Sequence, residues 1–254
     1  VRAAWLVGAD GARSPVRETA GITFDDLGFE EPWLVVDMLV NDVSRLPDAN
    51  LQICDPARPT TCVLMGEGRH RWEFMILPGE TAEEVASDTS VERLMKPWDV
   101  EGAVTLERKA VYTFRARIAE QWRKGRVMLA GDAAHQTPPF AGQGMCSGLR
   151  DAANLAWKLA AIVRDGASDN LLDTYQTERA SNLRATIDMA VMMGRTVCIT
   201  DPEAAAARDA QMLAARAAGH SPDGTVEYPP IADGLILSGS AGAGSYFPQP
   251  VAGE

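Results

Sequence analysis

The chain has 254 residues, a formal net charge of −11 and 46% hydrophobic residues. This apolar content is enough for a substantial core in one or two domains. The acidic balance argues against nucleic acid or an anionic membrane as a partner, and no apolar run is long enough to cross a bilayer. Four scattered cysteines without a Cys-x-x-Cys pair predict reduced thiols in a cytoplasmic protein, without disulfides or metal ligands.

The first predicted element, in residues 4–17, is a buried strand that turns through glycine into a short helix. In this turn Asp10 can accept backbone N–H bonds, and Gly11 permits a positive φ or a close backbone approach. Arg13 and Arg17 are candidate partners for a phosphate or for local carboxylates. By itself the segment is also compatible with an ordinary capped strand–turn–helix.

The next region is predicted to be mainly a β-sheet. Glu80–Met95 is predicted as a helix that ends before Pro97, and the hairpin turn is predicted at Gly66-Glu67-Gly68. His70, Trp72 and Phe74 share one face of their strand, so they either face an aromatic ligand or form core. The predicted strands are residues 33–40, 60–65, 69–77 and 104–117.

Residues 126–159 are the most informative segment. An apolar strand, Arg126–Ala130, leads into Gly131-Asp132, and a loop rich in proline and glycine precedes a helix that begins at about Gly144. This arrangement places a carboxylate at the carboxyl end of a strand, where open α/β sheets bind ligands. It also directs the free N–H groups of a helix N-terminus to the same place. Such a site suits a polyhydroxylated, partly anionic cofactor.

Helices are predicted for most of the remaining chain. The helix over Met145–Arg164 ends at Gly166, Leu171–Val197 forms one or two helices, the alanine-rich stretch from Thr200 is helical, and Pro222–Gly244 is a loop. The predicted buried side of the first helix is Leu149, Ala152, Ala153, Leu155, Ala156, Leu159, Ala160 and Val163. Core residues expected in the second are Tyr175, Leu183, Ile187 and Val191.

Two segments resemble motifs of the FAD-dependent aromatic hydroxylases, the group A flavoprotein monooxygenases. Residues 4–17 resemble the Asp-Gly motif and residues 126–159 the Gly-Asp motif, and they occur in the same order as in the family, with a sheet between them. The resemblance implies an α/β fold with α+β character. A Rossmann-like FAD-binding domain is expected in 1–27 and 123–200, and an antiparallel-sheet substrate domain in 28–122. A helical and loop segment, 201–254, would lead into a further domain. Because no Gly-x-Gly-x-x-Gly unit opens the chain, we expect the middle of a longer enzyme, and we expect this stretch by itself to bind FAD weakly and to be inactive.

The resemblance also implies which residues contact FAD. Asp132 would accept hydroxyls of the ribityl chain, with a capping role as the alternative. The residues Pro138, Pro139 and Gln143 would lie near the flavin ring, with Phe140 either beside them or in a plain loop. The full expected set is Asp10, Gly11, Arg13, Leu129, Ala130, Gly131, Asp132, Ala133, Pro138, Ala141, Gly142, Gln143, Gly144 and Met145.

No catalytic side chain is assigned, because the flavin carries the chemistry in this family. His135 is either structural or an acid–base group, and Asp151 and Asn154 are expected to make structural bonds. Ser14 and Ser147 lack a matching base and orienting acid, which argues against a hydrolase triad.

The function implied is hydroxylation of a phenolic acid ortho to its hydroxyl, with NAD(P)H as reductant and O2 as oxidant. Residues 69–80 and 142–159 look most like the 3-(3-hydroxyphenyl)propionate hydroxylases. The alternatives are a hydroxylase of another phenol or of a polyketide ring, or an inactive folded module. The expected partners are a small aromatic substrate and O2, without nucleic acid or membrane, and a homodimer is left open.

Overall fold

The computed structural model describes residues 2–219, 228–237 and 239–245. The strands are β1 (Leu6–Gly8), β2 (Phe24–Val40), β3 (Leu51–Ile53), β4 (Thr60–Gly66), β5 (Arg69–Met75), β6 (Val104–Ala119), β7 (Arg123–Lys124), β8 (Val127–Leu129) and β9 (His135–Gln136). The α-helices are α1 (Pro15–Thr19), α2 (Ala82–Val85), α3 (Asp88–Met95), α4 (Gly144–Asp165), α5 (Asp173–Val197) and α6 (Pro202–Ala217). The mixed α/β character expected from the sequence is confirmed.

The chain divides into two compact units. The first unit comprises Val1–Phe29, Arg115–Val191 and Thr225–Glu254, and the second comprises Glu30–Phe114 and Met192–Gly224. The long strands β2 and β6 each contribute residues to both units. The helical residues after Val191 belong to the second unit, whereas the segment that follows them, Thr225–Glu254, belongs to the first.

The first unit contains a three-stranded sheet in the order β1-β8-β7. Strands β1 and β8 are parallel, with Leu6 opposite Val127 and Gly8 opposite Leu129, whereas β7 and β8 are antiparallel. Helix α5 is bonded to this sheet, because the Tyr175 hydroxyl donates to the Leu129 carbonyl at 2.9 Å. The parallel pair joins two segments that are far apart in sequence.

The second unit is built on a sheet in the order β3-β4-β5-β2-β6. Strands β4 and β5, and likewise β5 and β2, are antiparallel, as the sequence predicts. One face of this sheet packs against α2 and α3 and forms the core. The buried hydrophobic cluster is Leu34, Val36, Met38, Cys62, Trp72, Phe74, Ile76, Val85, Val91, Met95, Val100 and Ala103.

Local signals placed most of the elements correctly. The hairpin turn between β4 and β5 is confirmed, with positive φ at Gly66, Glu67 and Gly68. The helix predicted over 80–95 is interrupted, since Ser87 begins a second helix by accepting a hydrogen bond from the Ser90 N–H at 3.3 Å. Pro97 lies in a short 3-10 turn, Lys96–Trp98, that follows α3.

The buried side of α4 differs from the prediction. The helix begins at Gly144 and is followed by Gly166 at φ 70°, as expected, but Leu149 and Val163 are 61% and 65% exposed. Within the predicted face only Leu155 is buried. The buried residues of the helix are Ser147, Asp151, Leu155 and Lys158. Charged partners on α5 offset the cost of burying Asp151 and Lys158, whereas the Ser147 Oγ has no hydrogen-bond partner within the described residues.

The core positions predicted for α5 are confirmed, since Tyr175, Leu183, Ile187 and Val191 are all buried. Helix α6 matches the alanine-rich stretch. Residues 228–237 and 239–244 contain neither helix nor strand, in agreement with the predicted loop, and residues 222–227 and 238 of that loop lie outside the described residues. Among the helices of the described ranges, none combines the length and apolar character needed to cross a membrane.

Candidate cofactor site

The parallel pairing of β1 and β8 brings the two glycine-containing motifs side by side. The Ala130 N–H donates to the Gly8 carbonyl at 3.0 Å, just beyond the last paired residues of the two strands. Asp10-Gly11 and Gly131-Asp132 therefore leave the sheet at neighbouring carboxyl ends, which is the edge where open α/β sheets bind ligands.

The carboxylate of Asp10 stabilises the first turn. It accepts a hydrogen bond from the Ser14 hydroxyl and another from the Val16 N–H, at 3.0 Å. The bond from Ser14 is the main reason why the pKa of Asp10 lies below its ordinary value. Gly11 follows with φ 84°, a conformation that favours glycine. Both oxygens of Asp10 thus have bonds within the turn, as the local interpretation expected.

The two arginines of this turn have different environments. Arg17 is buried, bonds to the Ala12 carbonyl at 3.1 Å and to Glu18 at 3.3 Å, and its guanidinium lies 4.1 Å from the centre of the Phe24 ring. Arg17 therefore bonds to a local carboxylate, which is one of the two roles that the sequence analysis left open. Arg13 is exposed and has no hydrogen-bond or ion-pair partner within the described part of the chain, so its charge is available to a ligand.

Asp132 is exposed at the carboxyl end of β8. It lies in a 3-10 turn, Gly131–Ala133, whose N-cap is Ala130 and which has no side-chain cap. Within the described residues its carboxylate has no hydrogen-bond or ion-pair partner, so the capping alternative does not describe it. The turn also approaches α4 closely, because a Cβ built on Gly148 would lie 3.4 Å from the Gly131 Cα.

The N-terminus of α4 lies in the same unit and follows this loop. Gly142 has φ 62°, and Gln143 precedes the helix without capping it through its side chain. The N–H groups of the first helical turn therefore have no intrahelical acceptor. The Gln143 side chain instead bonds to Arg150 at 3.1 Å and to the Tyr228 hydroxyl at 2.9 Å, so we expect Gln143 to meet a ligand through its backbone.

The other residues expected near the cofactor are of several kinds. Leu129 is fully buried, and its backbone is bonded to Trp122 and Tyr175. Phe140 is 7% exposed and packs edge-on against Phe29 with ring centres 5.9 Å apart, so it is part of the core. Buried positions are Ala130, Ala133 and Pro138, half-buried ones are Ala141 and Gly144, and exposed ones are Pro139, Gly142 and Met145.

A buried network behind the loop was only partly foreseen. Asp151 of α4 accepts bonds from the Gly131 N–H at 3.0 Å and from Arg179 at 2.9 Å, and its Oδ2 lies 2.6 Å from the His135 Nε2. Burial opposes ionisation of Asp151, but the bonds from His135 and Gly131 and the charge of Arg179 lower its pKa below the ordinary value. The sequence analysis predicted structural bonds for Asp151 but did not identify Arg179 as its partner. A charged residue on the buried face of α5 was the feature that could have identified it.

The aromatic residues proposed from the sequence to face a substrate are core residues of the second unit. His70, Trp72 and Phe74 are at most 1% exposed, and Trp72 and Phe74 belong to the cluster that packs against α2 and α3. His70 stacks on Trp72 with ring centres 4.4 Å apart. The core interpretation of this stripe is therefore the one that the structure supports.

Comparison with known proteins identifies the family. The model of the FAD-binding domain family matches residues 1–190. The chain belongs to this family. It is 46% identical to a probable NADH-specific resorcinol 4-hydroxylase of Rhodococcus jostii over 98% of this chain and 46% of that protein. It is 44% identical to a 3-(3-hydroxy-phenyl)propionate/3-hydroxycinnamic acid hydroxylase of Mycolicibacterium smegmatis, over 82% of this chain and 37% of the relative.

Solved structures agree with this membership of the FAD-binding domain family. Aklavinone-11 hydroxylase, solved with FAD and aklavinone, is 34% identical over 76% of this chain and 37% of its own, with a TM-score of 0.69. The p-nitrophenol 4-monooxygenase of Pseudomonas putida is 29% identical over 83% of this chain and 54% of its own, with a TM-score of 0.72. The chain spans about half or less of the length of these relatives.

The residues of the first unit fit the cofactor of the family. Asp132 offers an unpaired, exposed carboxylate as an acceptor for hydroxyl groups. The glycines at 131 and 142 have positive φ and leave the backbone without a Cβ beside the loop. The uncapped N-terminus of α4 supplies N–H donors and the positive end of a helix dipole. Together they match a ligand that carries both hydroxyl groups and negative charge.

Proposed function

We propose that this protein is an FAD-dependent monooxygenase that uses NADH and O2 to hydroxylate a phenolic ring ortho to its hydroxyl. The supporting observation is the parallel pairing of β1 with β8, which places both family motifs at one sheet edge. The relatives named resorcinol and 3-(3-hydroxyphenyl)propionate hydroxylases support the reaction, and the name of the former supports NADH as reductant.

Each part of the cofactor edge has a role in this reaction. Bound FAD supplies the redox chemistry that activates O2. Asp132 would accept hydrogen bonds from the polyhydroxylated part of the cofactor, and Arg13 would provide a cation for its phosphates. The N–H groups at the start of α4 would offer hydrogen-bond donors to a negatively charged part of the bound cofactor. Asp151 stabilises the Gly131 turn by accepting a hydrogen bond from the Gly131 N–H.

The compartment that we propose is the cytoplasm, where NADH is available. The substrate is a small phenol, with a phenolic acid such as 3-(3-hydroxyphenyl)propionate among the compounds to test. A second candidate is hydroxylation of a larger ring system. The likeness to aklavinone-11 hydroxylase, at 34% identity over 76% of the chain, supports this alternative.

The reaction can be tested with rapid mixing of the FAD-loaded protein, NADH, ¹⁸O2 and a panel of ring compounds. We expect label in a hydroxylated product of resorcinol or 3-(3-hydroxyphenyl)propionate, and none with benzene, because an electron-rich ring is needed. If NADH is oxidised while label enters no aromatic product, the hydroxylase function is wrong. Labelled product from aklavinone alone would favour the second candidate.

A further inference from the structure

The central sheet of the second unit has a polar side opposite its apolar core. Cross-strand partners lie on the same face, and Glu73 is paired with both Thr61 and Val35, while Arg71 is paired with Asp37. We define the polar face as Asp37, Thr61, Arg71, Glu73 and Arg108. Nothing in the cofactor edge described above uses these residues.

Glu73 is the most deeply buried carboxylate of the polar face. The residue is 8% exposed, and within the described residues it makes no hydrogen bond. Its nearest ion-pair contact is long, 3.8 Å from Oε1 to the Arg71 Nη1. Burial raises the pKa of Glu73, with a smaller opposite effect from Arg71. Because Glu73 has a long ion pair and no hydrogen-bond donor within the described residues, its carboxylate keeps the capacity to accept a hydrogen bond from a ligand.

Thr61 lies directly across the strand pair from Glu73. Thr61 is 8% exposed, and its Oγ1 is buried without a hydrogen-bond partner in the described structure. Residues paired in this way have Cβ atoms about 5 Å apart, which places the two side chains beside each other. A carboxylate and a hydroxyl at this spacing can together bind one hydroxyl group, which donates to Glu73 and accepts from Thr61.

The charges around this pair are balanced. Arg71 donates to Asp37 at 2.6 Å, and Arg108 lies 4.0 Å from the other oxygen of Asp37. The carboxylates of Asp37 and Glu73 thus offset the guanidinium groups of Arg71 and Arg108, and a carboxylate ligand would gain no net attraction. The side chain of Glu73 is 10% exposed and that of Arg108 is 52% exposed, so the polar face becomes more accessible towards Arg108.

We propose that Glu73 and Thr61 bind a hydroxyl group of a neutral phenolic substrate, and that the polar face selects neutral dihydroxybenzenes over phenolic acids. The assignment rests on the proposed hydroxylase function and adds to it the substrate class and the residues that recognise it. It follows from the Thr61 hydroxyl, which has no hydrogen-bond partner within the described residues, from the Glu73 carboxylate beside it, whose contact with Arg71 is a long ion pair, and from the compensated charge around them.

Binding is measured by isothermal titration calorimetry on the FAD-loaded protein, so that the readout does not depend on turnover. The ligands are resorcinol, 3-(3-hydroxyphenyl)propionate and 1,3-dimethoxybenzene, whose oxygens cannot donate. The variants are Glu73→Gln and Thr61→Val. Their matched controls are Glu83→Gln, an exposed carboxylate on α2, and Thr60→Val, the neighbouring residue on the opposite face. Flavin absorbance and thermal unfolding report folding of each variant.

We expect Glu73→Gln to weaken resorcinol binding about tenfold or more and Thr61→Val about two- to tenfold, with the controls near wild type. Wild type should bind resorcinol more tightly than the phenolic acid, and the dimethoxy compound least. Unchanged resorcinol affinity in a folded Thr61→Val or Glu73→Gln variant would overturn the site. Preference for the phenolic acid would overturn the neutral class. If labelled product still forms in either case, the hydroxylase function stands while this site does not.

Discussion

His135 Nε2 lies 2.6 Å from the Asp151 Oδ2, and the same oxygen accepts the Gly131 N–H at 3.0 Å. A single buried carboxylate of α4 therefore connects the glycine at the end of β8 with the histidine four residues later. Arg179 of α5 bonds to the other oxygen, which compensates the buried charge. The turn that contains Asp132 is thus stabilised through the Gly131 N–H by the buried network of Asp151, His135 and Arg179.

The first prediction concerns the stability provided by this network. Asp151→Asn removes the negative charge beside the buried Arg179, which should lower the free energy of unfolding by about 3–5 kcal/mol. Urea denaturation measures the change. Asp165→Asn, an exposed position at the end of the same helix, is the control and should differ from wild type by less than about 0.5 kcal/mol. Equal midpoints and slopes for the two variants would show that the network is not stabilising.

The second prediction concerns pH. Because the pKa of Asp151 is lowered in the folded state, its contribution is fully present above the unfolded pKa and is lost as the pH falls through the folded pKa. The unfolding free energy of wild type should therefore fall more steeply on acidification than that of Asp151→Asn. Denaturation curves at several pH values between neutral and strongly acid conditions measure both slopes. Parallel slopes would exclude Asp151 as a source of acid sensitivity.

A third prediction concerns the backbone at the cofactor edge. Gly131 has φ 60°, so Gly131→Ala should cost about 1–2 kcal/mol of stability through its left-handed conformation. Gly144→Ala is a suitable control, because its φ is ordinary and, apart from adjacent residues and the backbone of its own helix, none of the described residues has an atom within 4 Å of a Cβ built there. We expect this control to be neutral or slightly stabilising. Thermal unfolding compares the two, and equal shifts would contradict the assigned strain.

The fourth prediction tests Asp132 as a cofactor ligand. In the full-length enzyme, Asp132→Ala should weaken FAD binding about 10- to 150-fold, because a hydrogen bond to a charged group contributes about 1.5–3 kcal/mol. Stability without FAD should stay within about 0.5 kcal/mol of wild type, since the carboxylate has no partner within the described residues. Flavin fluorescence titration gives the affinity, with Asp165→Ala as the matched control. Unchanged affinity would remove Asp132 from the site.

Local sequence signals determined much of this fold. The Pro- and Gly-rich loop, the start of α4 at Gly144 and its end before Gly166 were all predictable, because turns and helix ends depend on a few adjacent residues. Alternation over 69–77 likewise predicted which residues of β5 share a face. The order of the two motifs then indicated the FAD-binding family, which the match over residues 1–190 shows.

Tertiary structure decided which face of α4 is buried. Apolar periodicity favoured Leu149 and Val163 as core of α4, whereas the helix buries Asp151 and Lys158, because their charged partners come from α5. Periodicity could not tell whether Trp72 faces a substrate or a core, since either environment is apolar. The pairing of Thr61 with Glu73 depends on strand register. The surroundings of these residues depend on contacts with residues distant in sequence. Such contacts leave no local signal in the sequence, so they could not be predicted from it.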